Sequence, residues 1–333
     1  MTRARSATRQ RGVGLLVVLV LLVVVSVLAV AMLDDIRFGL RRAGNARQVA
    51  QAQWHALGAE EVARQRLGIL AGRDPGGTRA STVPAALDLP IEEDGTVRGR
   101  VRSSLADADT CFNLNSVVEG AGEQWQRSEA GVRQLLALLH VLGVDDGAAR
   151  AFADTLVDWI DADQDPGARG AEDAAYLARD PAQLTSATLL AEPSELRALR
   201  GVEPGLYTAL REYACALPVS GPSPIDVNAL TAHDLPLLRM LGDGAIDASR
   251  ARRILAARPA TGWTSAEAFW AQPALAGFIP SAAVRQQVQV RGRYYRLEVA
   301  VAYDDALVEL SSLLEADPSG RVRLLSRRWT REE

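Results

Sequence analysis

The sequence predicts an α+β protein in which a long N-terminal helix packs on a small antiparallel sheet, with a large all-helical domain inserted into that sheet. Three observations support this. Apolar residues recur at helical intervals from residue 13 to about residue 70. Strand-like patterns occur at residues 96–104 and return after residue 288. The residues between them have the periodicity of several helices, so early and late strands pair across a helical block.

The first element is an apolar run over residues 13–32, interrupted only by Gly14 and Ser26. A helix rising 1.5 Å per residue needs about 20 residues to cross a bilayer core. The preceding residues carry four arginines and no acid, which favours a cytoplasmic N-terminus. A cleaved signal peptide has a shorter apolar region and a small-residue cleavage site. We therefore expect an uncleaved, single-pass transmembrane helix with an extracytoplasmic body.

Residues 1–12 form a short basic leader that ends in Gly12, directly before the apolar run. This leader resembles the class III signal of type IV pilins and type II secretion pseudopilins, which a prepilin peptidase cleaves after the glycine. The resemblance places cleavage between Gly12 and Val13. Most of these proteins carry Glu at the fifth mature position, whereas Val17 stands here. Such a subunit is poorly suited to repeat along a fibre but is suited to cap its end.

The N-terminal helix is predicted over residues 13–72, because glycines and a proline follow it. Residues 73–118 and 288–333 are assigned to the sheet, and residues 119–287 to the inserted helical domain. Strands are predicted at residues 96–104, 111–114, 294–303, 307–314 and 322–325. Helices are predicted within the insert at residues 132–142, 148–160, 194–200, 229–241 and 248–257. No internal repeat is visible in the sequence.

Several local sequences resemble one family, the type II secretion minor pseudopilin known as general secretion pathway protein K. In chain order they are Cys111-Phe112-Asn113-Leu114-Asn115, Leu156-Val157-Asp158-Trp159-Ile160-Asp161-Ala162-Asp163, Gly170-Ala171-Glu172-Asp173-Ala174-Ala175-Tyr176, Ser194-Glu195-Leu196-Arg197, Gly201-Val202, Ile225-Asp226-Val227-Asn228, Gly262-Trp263 and Glu309-Leu310-Ser311-Ser312. That family also lacks the fifth-position Glu.

The resemblance implies a pseudopilin fold, an inner-membrane anchor and a periplasmic body. It also implies a complex with two other minor pseudopilins, I and J, at the tip of the periplasmic pseudopilus. There the three proteins start fibre assembly and support protein export across the outer membrane.

A group of carboxylates follows the second predicted helix of the insert: Asp161, Asp163, Asp165, Glu172 and Asp173. Four of them have the spacing of positions 1, 3, 5 and 12 of an EF-hand loop. The glycine of that motif is replaced by Pro166, so the loop is not a true EF-hand. The residues alone leave open a Ca²⁺ loop or a solvated acidic turn with helix-capping Asp. The resemblance implies Ca²⁺ in this helical domain.

The two cysteines are Cys111 and Cys215. In an exported protein we expect them to form a disulfide, whereas two free thiols are the alternative. A disulfide that closes a loop of about 100 residues stabilises the fold by about 4–5 kcal/mol in the chain-entropy model.

The sequence also bears on two other classes of function. Residues 225–229, 241–244 and 251–254 resemble a helix-hairpin-helix segment, which makes a nucleic-acid-binding membrane protein the alternative. Asp243 lies inside that hairpin and the net charge is −4, so we expect no nucleic-acid partner. The three histidines, His55, His140 and His233, have no metal-ligand or catalytic spacing. We therefore expect no catalytic residues and a non-enzymatic assembly protein.

Overall fold

The protein is described here by a computed structural model of residues 11–73, 86–122 and 124–329. Most of the predicted leader and the predicted helix-breaking stretch after Arg73 lie outside the described residues. The predicted α+β class is confirmed: a long helix packs on a five-stranded antiparallel sheet, and a large insert joins two of its strands.

The described helices are, in chain order, α1 (Arg11–Arg73), α2 (Glu129–Val141), α3 (Asp146–Ile160), α4 (Asp173–Leu177), α5 (Pro204–Arg211), α6 (Leu235–Leu241), α7 (Ala248–Ala256), α8 (Ala266–Trp270) and α9 (Ala282–Gln287), with 3₁₀ turns at Leu114–Val117, Pro193–Ala198 and Pro273–Leu275. The described strands are β1 (Ala86–Glu93), β2 (Thr96–Asp107), β3 (Phe112–Asn113), β4 (Val118–Ala121), β5 (Gln124–Arg127), β6 (Ala214–Cys215), β7 (Ile225–Asp226), β8 (Val288–Gln289), β9 (Tyr294–Tyr303), β10 (Ala306–Ala316) and β11 (Val322–Arg328).

The first part of α1 is apolar and exposed, with a mean hydropathy of 3.4 in its most apolar window. By length and composition it is able to cross a membrane. The last part of α1 packs on the sheet through a stripe of four alanines and one leucine at helical spacing: Ala52, Ala56, Ala63, Leu67 and Ala71. The small alanine side chains let the helix axis lie close to the strands. The first part of α1 is thus the exposed apolar segment, whereas its last part forms one layer of the core against the sheet.

The main sheet has the order β1-β2-β9-β10-β11, and every pair is antiparallel. The predicted strands at residues 96–104, 294–303, 307–314 and 322–325 correspond to β2, β9, β10 and β11. Strand β1 was not predicted, because its apolar alternation is weak and it contains Pro90. That proline is tolerated because β1 is an edge strand, where the missing N–H breaks no ladder.

The insert begins earlier and is less purely helical than predicted. Residues 111–114, predicted as part of the main sheet, contain β3, which pairs in parallel with β6 of the insert. Phe112 and Leu114 are fully buried in the insert's core. The early part of the main sheet therefore ends at Asp107 rather than at residue 118. Strands β4 and β5, which pair with each other, and strand β7 lie almost entirely in the predicted all-helical region. The partner of β7 is β8, at residues predicted as part of the sheet, so the late part of the main sheet begins at Tyr294 rather than at residue 288.

The insert consists of two successive units of similar design. In each unit a two-residue strand opens the segment and pairs in parallel with a two-residue strand that closes it, β3 with β6 and β7 with β8. A buried Asn follows each opening strand. Asn115 bonds the backbone of Leu190 and Leu217, and Asn228 bonds that of Trp263 and Val290. Buried amides that satisfy loop backbone groups hold each unit together.

Two predicted helices of the insert differ in extent. The helix predicted at residues 229–241 begins only at Leu235, because Pro236 favours the first turn of a helix and disrupts its interior. The helix predicted at residues 194–200 is a 3₁₀ turn, Pro193–Ala198, again with a proline in its first turn.

The predicted disulfide between Cys111 and Cys215 is confirmed, with a Cα–Cα distance of 5.8 Å. It lies beside the β3–β6 pair, with its half-cystines 104 residues apart. It therefore closes the whole first unit of the insert covalently.

A buried ion pair fastens α1 to the sheet. Glu60 lies in the buried stripe of α1 with 2% of its surface exposed. Arg327 of β11 donates two hydrogen bonds to it, at 2.9 and 2.6 Å, and Ser312 of β10 donates a third at 2.7 Å. Burial raises the pKa of Glu60, but these hydrogen bonds and the Arg327 charge outweigh burial and hold the pKa below its usual value.

Two glycines allow the end of α1 to contact the turn before β11. A Cβ at Gly68 would lie 2.7 Å from the carbonyl oxygen of Gly320, and a Cβ at Gly320 would lie 2.7 Å from that of Gly68. Both obstacles are backbone atoms, which cannot rotate away. Gly320 also has a φ of +85°, which favours glycine.

We predict that Gly68→Ala lowers the stability of the full-length chain by about 1–3 kcal/mol, because overpacking outweighs the gain in helix propensity. The matched control is Gly58→Ala on the same helix, whose Cβ meets nothing within 4 Å. It is expected to stabilise the chain by up to about 1 kcal/mol. Thermal unfolding in detergent micelles measures both, and equal shifts for the two variants would contradict the close approach.

Candidate metal site

The predicted carboxylate loop lies between α3 and α4. Helix α3 begins after Asp145, whose side chain accepts hydrogen bonds from the backbone N–H groups of Gly147 and Ala148. Its buried face runs down to Ile160, and Asp161 is its C-cap residue. Glu172 occupies the N-cap position of α4 but makes no capping hydrogen bond there. Both carboxylates therefore face the loop rather than the helices that carry them.

The structure brings Asp161, Asp163 and Glu172 together, with one carboxylate oxygen of each lying within 4.8 Å of the others. Asp161 and Glu172 are 6% and 5% exposed, whereas Asp163 is exposed. Asp161 Oδ1 and both carboxylate oxygens of Glu172 are buried and have no hydrogen-bond partner among the described residues. Buried acceptors without partners are costly, so the arrangement is suited to a positively charged ligand.

The pKa values of the cluster reflect the same cost of burying carboxylates without partners. Burial and, to a smaller extent, the charges of Asp163 and Asp158 raise the pKa of Asp161 to about 7. Burial likewise raises the pKa of Glu172 to about 8, with added repulsion from Asp158 and Asp161. Arg127 lowers the pKa of Asp161, but it is already paired with Asp154 and Glu129.

Asp158, one turn before Asp161 on α3, organises the loop. Its carboxylate accepts the backbone N–H of Gly167 at 3.1 Å. A Cβ at Gly170 would lie 1.7 Å from Asp158 Oδ2, so any larger residue there would displace this carboxylate. Asp158 was not among the carboxylates predicted for the cluster. The available signal was its i, i+3 spacing from Asp161 at the end of an amphipathic helix.

Two of the five predicted carboxylates do not join the cluster. Asp173 turns away and accepts hydrogen bonds from the backbone N–H and the hydroxyl of Thr185, both at 2.8 Å. Asp165 is exposed, and its backbone N–H donates to Asp163 Oδ1 at 2.9 Å. The EF-hand spacing therefore identified three of the converging groups, while Pro166 gives the loop a different course from the one the motif requires.

The remaining predicted positions lie elsewhere. Val13 and Val17 lie on the exposed apolar part of α1, and Gly12 lies in its first turn. In the helix-hairpin-helix segment, α6 and α7 pack into the insert's core, Arg250 donates to the carbonyls of Ala274 and Ala276, and Arg258 donates to those of Asn228 and Leu230.

The three histidines lie on different parts of the described chain. His55 packs against the ring of Tyr303, His140 lies 3.3 Å from a carboxylate oxygen of Asp146, and His233 stacks on Tyr213.

Comparison with known proteins gives a consistent result. Two family models, both described as type II secretion system (T2SS), protein K, match residues 110–219 and 225–291. These ranges coincide with the two units of the insert. The chain is 33% identical over 307 residues to the type II secretion system protein K of Klebsiella pneumoniae, covering 92% of this chain and 93% of that protein. It is 35% identical over 262 residues to the protein of the same name from Pectobacterium carotovorum subsp. carotovorum, covering 78% and 79%.

The fold matches a chain in the crystal structure of the GspK-GspI-GspJ complex from the enterotoxigenic Escherichia coli type 2 secretion system. The TM-score is 0.72 at 25% sequence identity, and the match covers 87% of this chain and 100% of that chain. The similarity therefore includes the sheet and the insert together.

The raised pKa values predict how the metal-free chain responds to pH. The folded state holds protons on Asp161 and Glu172 more tightly than the unfolded state does. Stability in EDTA is therefore expected to fall as pH rises from the ordinary carboxyl range, about 4, to about 8. Glu172→Gln removes one of these groups and is expected to raise the Tm at about pH 8 by about 2–4 °C, the shift that about 1 kcal/mol produces. At about pH 5 the variant and the wild type are expected to unfold alike.

The control for this measurement is Asp165→Asn, which removes an exposed carboxylate of the same loop that lies outside the cluster. An unchanged pH dependence in Glu172→Gln, measured by thermal unfolding of the full-length chain, would show that folding does not raise the pKa of Glu172.

Proposed function

The chain belongs to the type II secretion system protein K family, and on that premise we propose that it works as a minor pseudopilin at the tip of the pseudopilus. There it assembles with the I and J minor pseudopilins, starts the fibre and supports protein export across the outer membrane. The observation that carries the proposal is the structural match, over 87% of the chain, to a chain of a GspK-GspI-GspJ complex.

The shape of the fold supports a terminal position in the fibre. The insert joins β2 to β9, adjacent central strands of a sheet that is itself packed on α1. Subunits of a narrow fibre stack along their N-terminal helices, and an insert of this size obstructs a subunit above it. A single copy at the end meets no such obstruction. Val17 at the fifth mature position fits the same role.

The proposed partner surface is the side of α1 that faces away from the sheet. Trp54, Val62 and Ile69 are apolar side chains on the packed half of the helix, yet they are 70%, 45% and 52% exposed. Large exposed apolar side chains beyond the membrane segment are suited to contact with neighbouring helices. We assign the I and J helices as the occupants of this side.

The proposed topology follows from α1. Residues 13–32 anchor the chain in the inner membrane, the arginine-rich leader faces the cytoplasm and the body lies in the periplasm. Prepilin peptidase cleaves between Gly12 and Val13. The disulfide between Cys111 and Cys215 supports an oxidising compartment for the body.

We also propose that the cluster of Asp161, Asp163 and Glu172 holds Ca²⁺. Hard carboxylate oxygens without nitrogen or sulfur ligands suit Ca²⁺ better than Zn²⁺. The support from the structure is the three buried, unpaired oxygens of Asp161 and Glu172. A bound cation would remove the repulsion among these groups and would join the end of α3 to the start of α4.

The proposed role is non-catalytic. Arg250 and Arg258, which flank the last part of the helix-hairpin-helix segment, donate hydrogen bonds to backbone carbonyls within the insert. These contacts favour a packing role for the segment over the alternative nucleic-acid-binding function.

Assembly is tested by co-expressing the full-length chain with its I and J partners and isolating the membranes. We expect the three proteins to co-purify in equal amounts, and we expect Trp54→Ala to reduce their recovery several-fold, because an aromatic anchor in a helix interface contributes about 2 kcal/mol or more. Trp329→Ala, at an exposed tryptophan beyond the end of β11, is the control. Failure of the wild-type chain to co-purify with I and J would refute the proposal.

Calcium binding is tested by thermal unfolding of the full-length chain with EDTA and with excess Ca²⁺. We expect Ca²⁺ to raise the Tm, since a ligand present at about 100 times its Kd stabilises the folded state by about 2.7 kcal/mol. Asp161→Asn is expected to abolish this response and Asp165→Asn to leave most of it. A Tm that is the same in EDTA and in Ca²⁺ would remove the claim.

A further inference from the structure

Three aspartates meet at the point where the chain leaves the sheet and enters the insert. Asp107 is the last residue of β2, Asp109 follows two residues later, and Asp226 belongs to β7 of the insert's second unit. Asp109 is fully buried and Asp226 is 2% exposed. The backbone N–H of Asp226 donates to the carbonyl of Asp109 at 3.0 Å, so the insert's second unit is bonded to the entering strand.

The strand that returns to the sheet is bonded at the same point. Asp109 Oδ2 accepts the backbone N–H groups of Arg293 at 2.5 Å and Tyr294 at 3.2 Å. The backbone N–H of Ala108 donates to the carbonyl of Tyr294 at 2.8 Å. Both connections between sheet and insert therefore pass through one small, buried set of hydrogen bonds, which we call the joint.

The carboxyl groups of Asp107 and Asp226 lie against each other across this joint. Ionised carboxylates have only acceptor oxygens, so a hydrogen bond between these two groups requires a proton on one of them. A Cβ at Gly292 would lie 1.9 Å from Asp107 Oδ2, which shows that the Asp107 carboxyl packs directly on the returning backbone. Asp109 Oδ1, also buried, has no hydrogen-bond partner among the described residues.

The charged and titratable groups facing the joint do not neutralise all three acids. Arg293 lies beside Asp109 but is paired with Glu315 of β10. Arg291 donates to the carbonyl of Ala71 at the end of α1 and lies near Tyr295. Tyr295 donates its hydroxyl to the carbonyl of Gly292, and Tyr294 is the other phenol facing the joint.

Electrostatics agree with this geometry. Burial raises the pKa of Asp107 well above its usual value, and the charges of Asp109 and Asp226 raise it further. Burial raises the pKa of Asp109 to about 7, although backbone hydrogen bonds from Arg293 and Tyr294 lower it. Burial also raises the pKa of Asp226 to about 6, against the backbone hydrogen bond from Asn228.

We propose that a proton shared between Asp107 and Asp226 holds the helical insert on the sheet, so that the joint is a pH-sensitive hinge that loosens as the medium becomes alkaline. Loss of the proton places two adjacent negative charges next to the buried Asp109, at a site where the arginines that the structure describes, Arg291 and Arg293, already have other partners. The joint then opens locally while the core of the sheet and the cores of the insert remain packed.

The direction of the pH effect follows from linkage. The closed joint holds a proton that the open joint releases above the ordinary Asp pKa of about 3.9. The closed state is therefore fully favoured at low pH and loses stability as pH rises from about 4 towards the raised pKa values of the joint. The equilibrium constant for opening is expected to rise by up to about tenfold per pH unit for each proton released.

The test is hydrogen–deuterium exchange of the full-length chain in detergent micelles with excess Ca²⁺, between about pH 5 and about pH 8. After correction for intrinsic exchange rates, protection of amides at residues 108–113 and 291–295 is expected to fall with pH. Amides in the middle of β9 and β10 serve as the internal reference. In Asp107→Asn one proton is no longer exchanged. The equilibrium constant for opening is therefore expected to rise with pH less steeply than in the wild type, by about a factor of ten per pH unit.

Asp88→Asn is the matched control, since Asp88 is a half-exposed aspartate of the neighbouring strand β1. The proposal is overturned if corrected protection at the joint is independent of pH, or if Asp107→Asn keeps the wild-type slope with uniformly lower protection. A slope that disappears when EDTA replaces Ca²⁺ would assign the effect to a metal ion and would also overturn it.

If Asp107→Asn does not fold, Asp226→Asn removes the other partner and is interpreted in the same way. Infrared spectroscopy of the wild-type chain needs no variant: with Ca²⁺ in excess, a protonated-carboxyl band is expected to persist to about pH 6, well above the ordinary Asp range. A spectrum without that band would refute the shared proton.

Discussion

The antiparallel pairing of β2 with β9 is the constraint on which the rest of the structure depends. It joins residues far apart in sequence, from Gly99 opposite Tyr303 to Asp107 opposite Tyr295. This pairing completes the platform on which α1 packs, and it brings both ends of the insert to one place. Without it the early hairpin, β1–β2, and the late meander, β9–β11, would be separate pieces, each too small to bury the stripe of α1.

Buried carboxylates are accommodated in three different ways in this fold. Glu60 and Glu315 are paired with arginines of neighbouring strands, and their pKa values are held below the usual range. Asp161 and Glu172 keep oxygens that have no hydrogen-bond partner among the described residues, the arrangement that suits an external ion. Asp107 and Asp226 lie against each other, and we propose that they share a proton. The electrostatic cost of burial is met by arginine side chains at Glu60 and Glu315, whereas the proposed ion site and the proposed shared proton would both depend on the medium.

The three arrangements of buried carboxylates lie in different parts of the fold. The arginine pairs lie at the main sheet, where the Glu60–Arg327 pair fixes α1, and with it the direction of the apolar segment, relative to the body. The candidate ion site and the joint lie in and at the edge of the insert. The match of the two family models to the two units of the insert places the family's characteristic sequence in that same region.

Local sequence patterns determined the apolar helix α1, the late strands β9–β11 and the grouping of Asp161, Asp163 and Glu172. Each of these depends on residues near one another in the chain, where periodicity and spacing carry the information. The disulfide followed from the predicted compartment and from there being two cysteines only.

The tertiary structure decided what depends on distant partners. Edge strand β1 has little periodicity of its own and exists because β2 is available to pair with it. The assignment of residues 108–118 to the insert depends on β6, about 100 residues later. Asp165 and Asp173 are as acidic as the residues that converge, and only the course of the loop separates them. Asp107, Asp109 and Asp226 are ordinary aspartates in the sequence, because burial and the proximity of like charges arise only when the two halves of the sheet close around the insert.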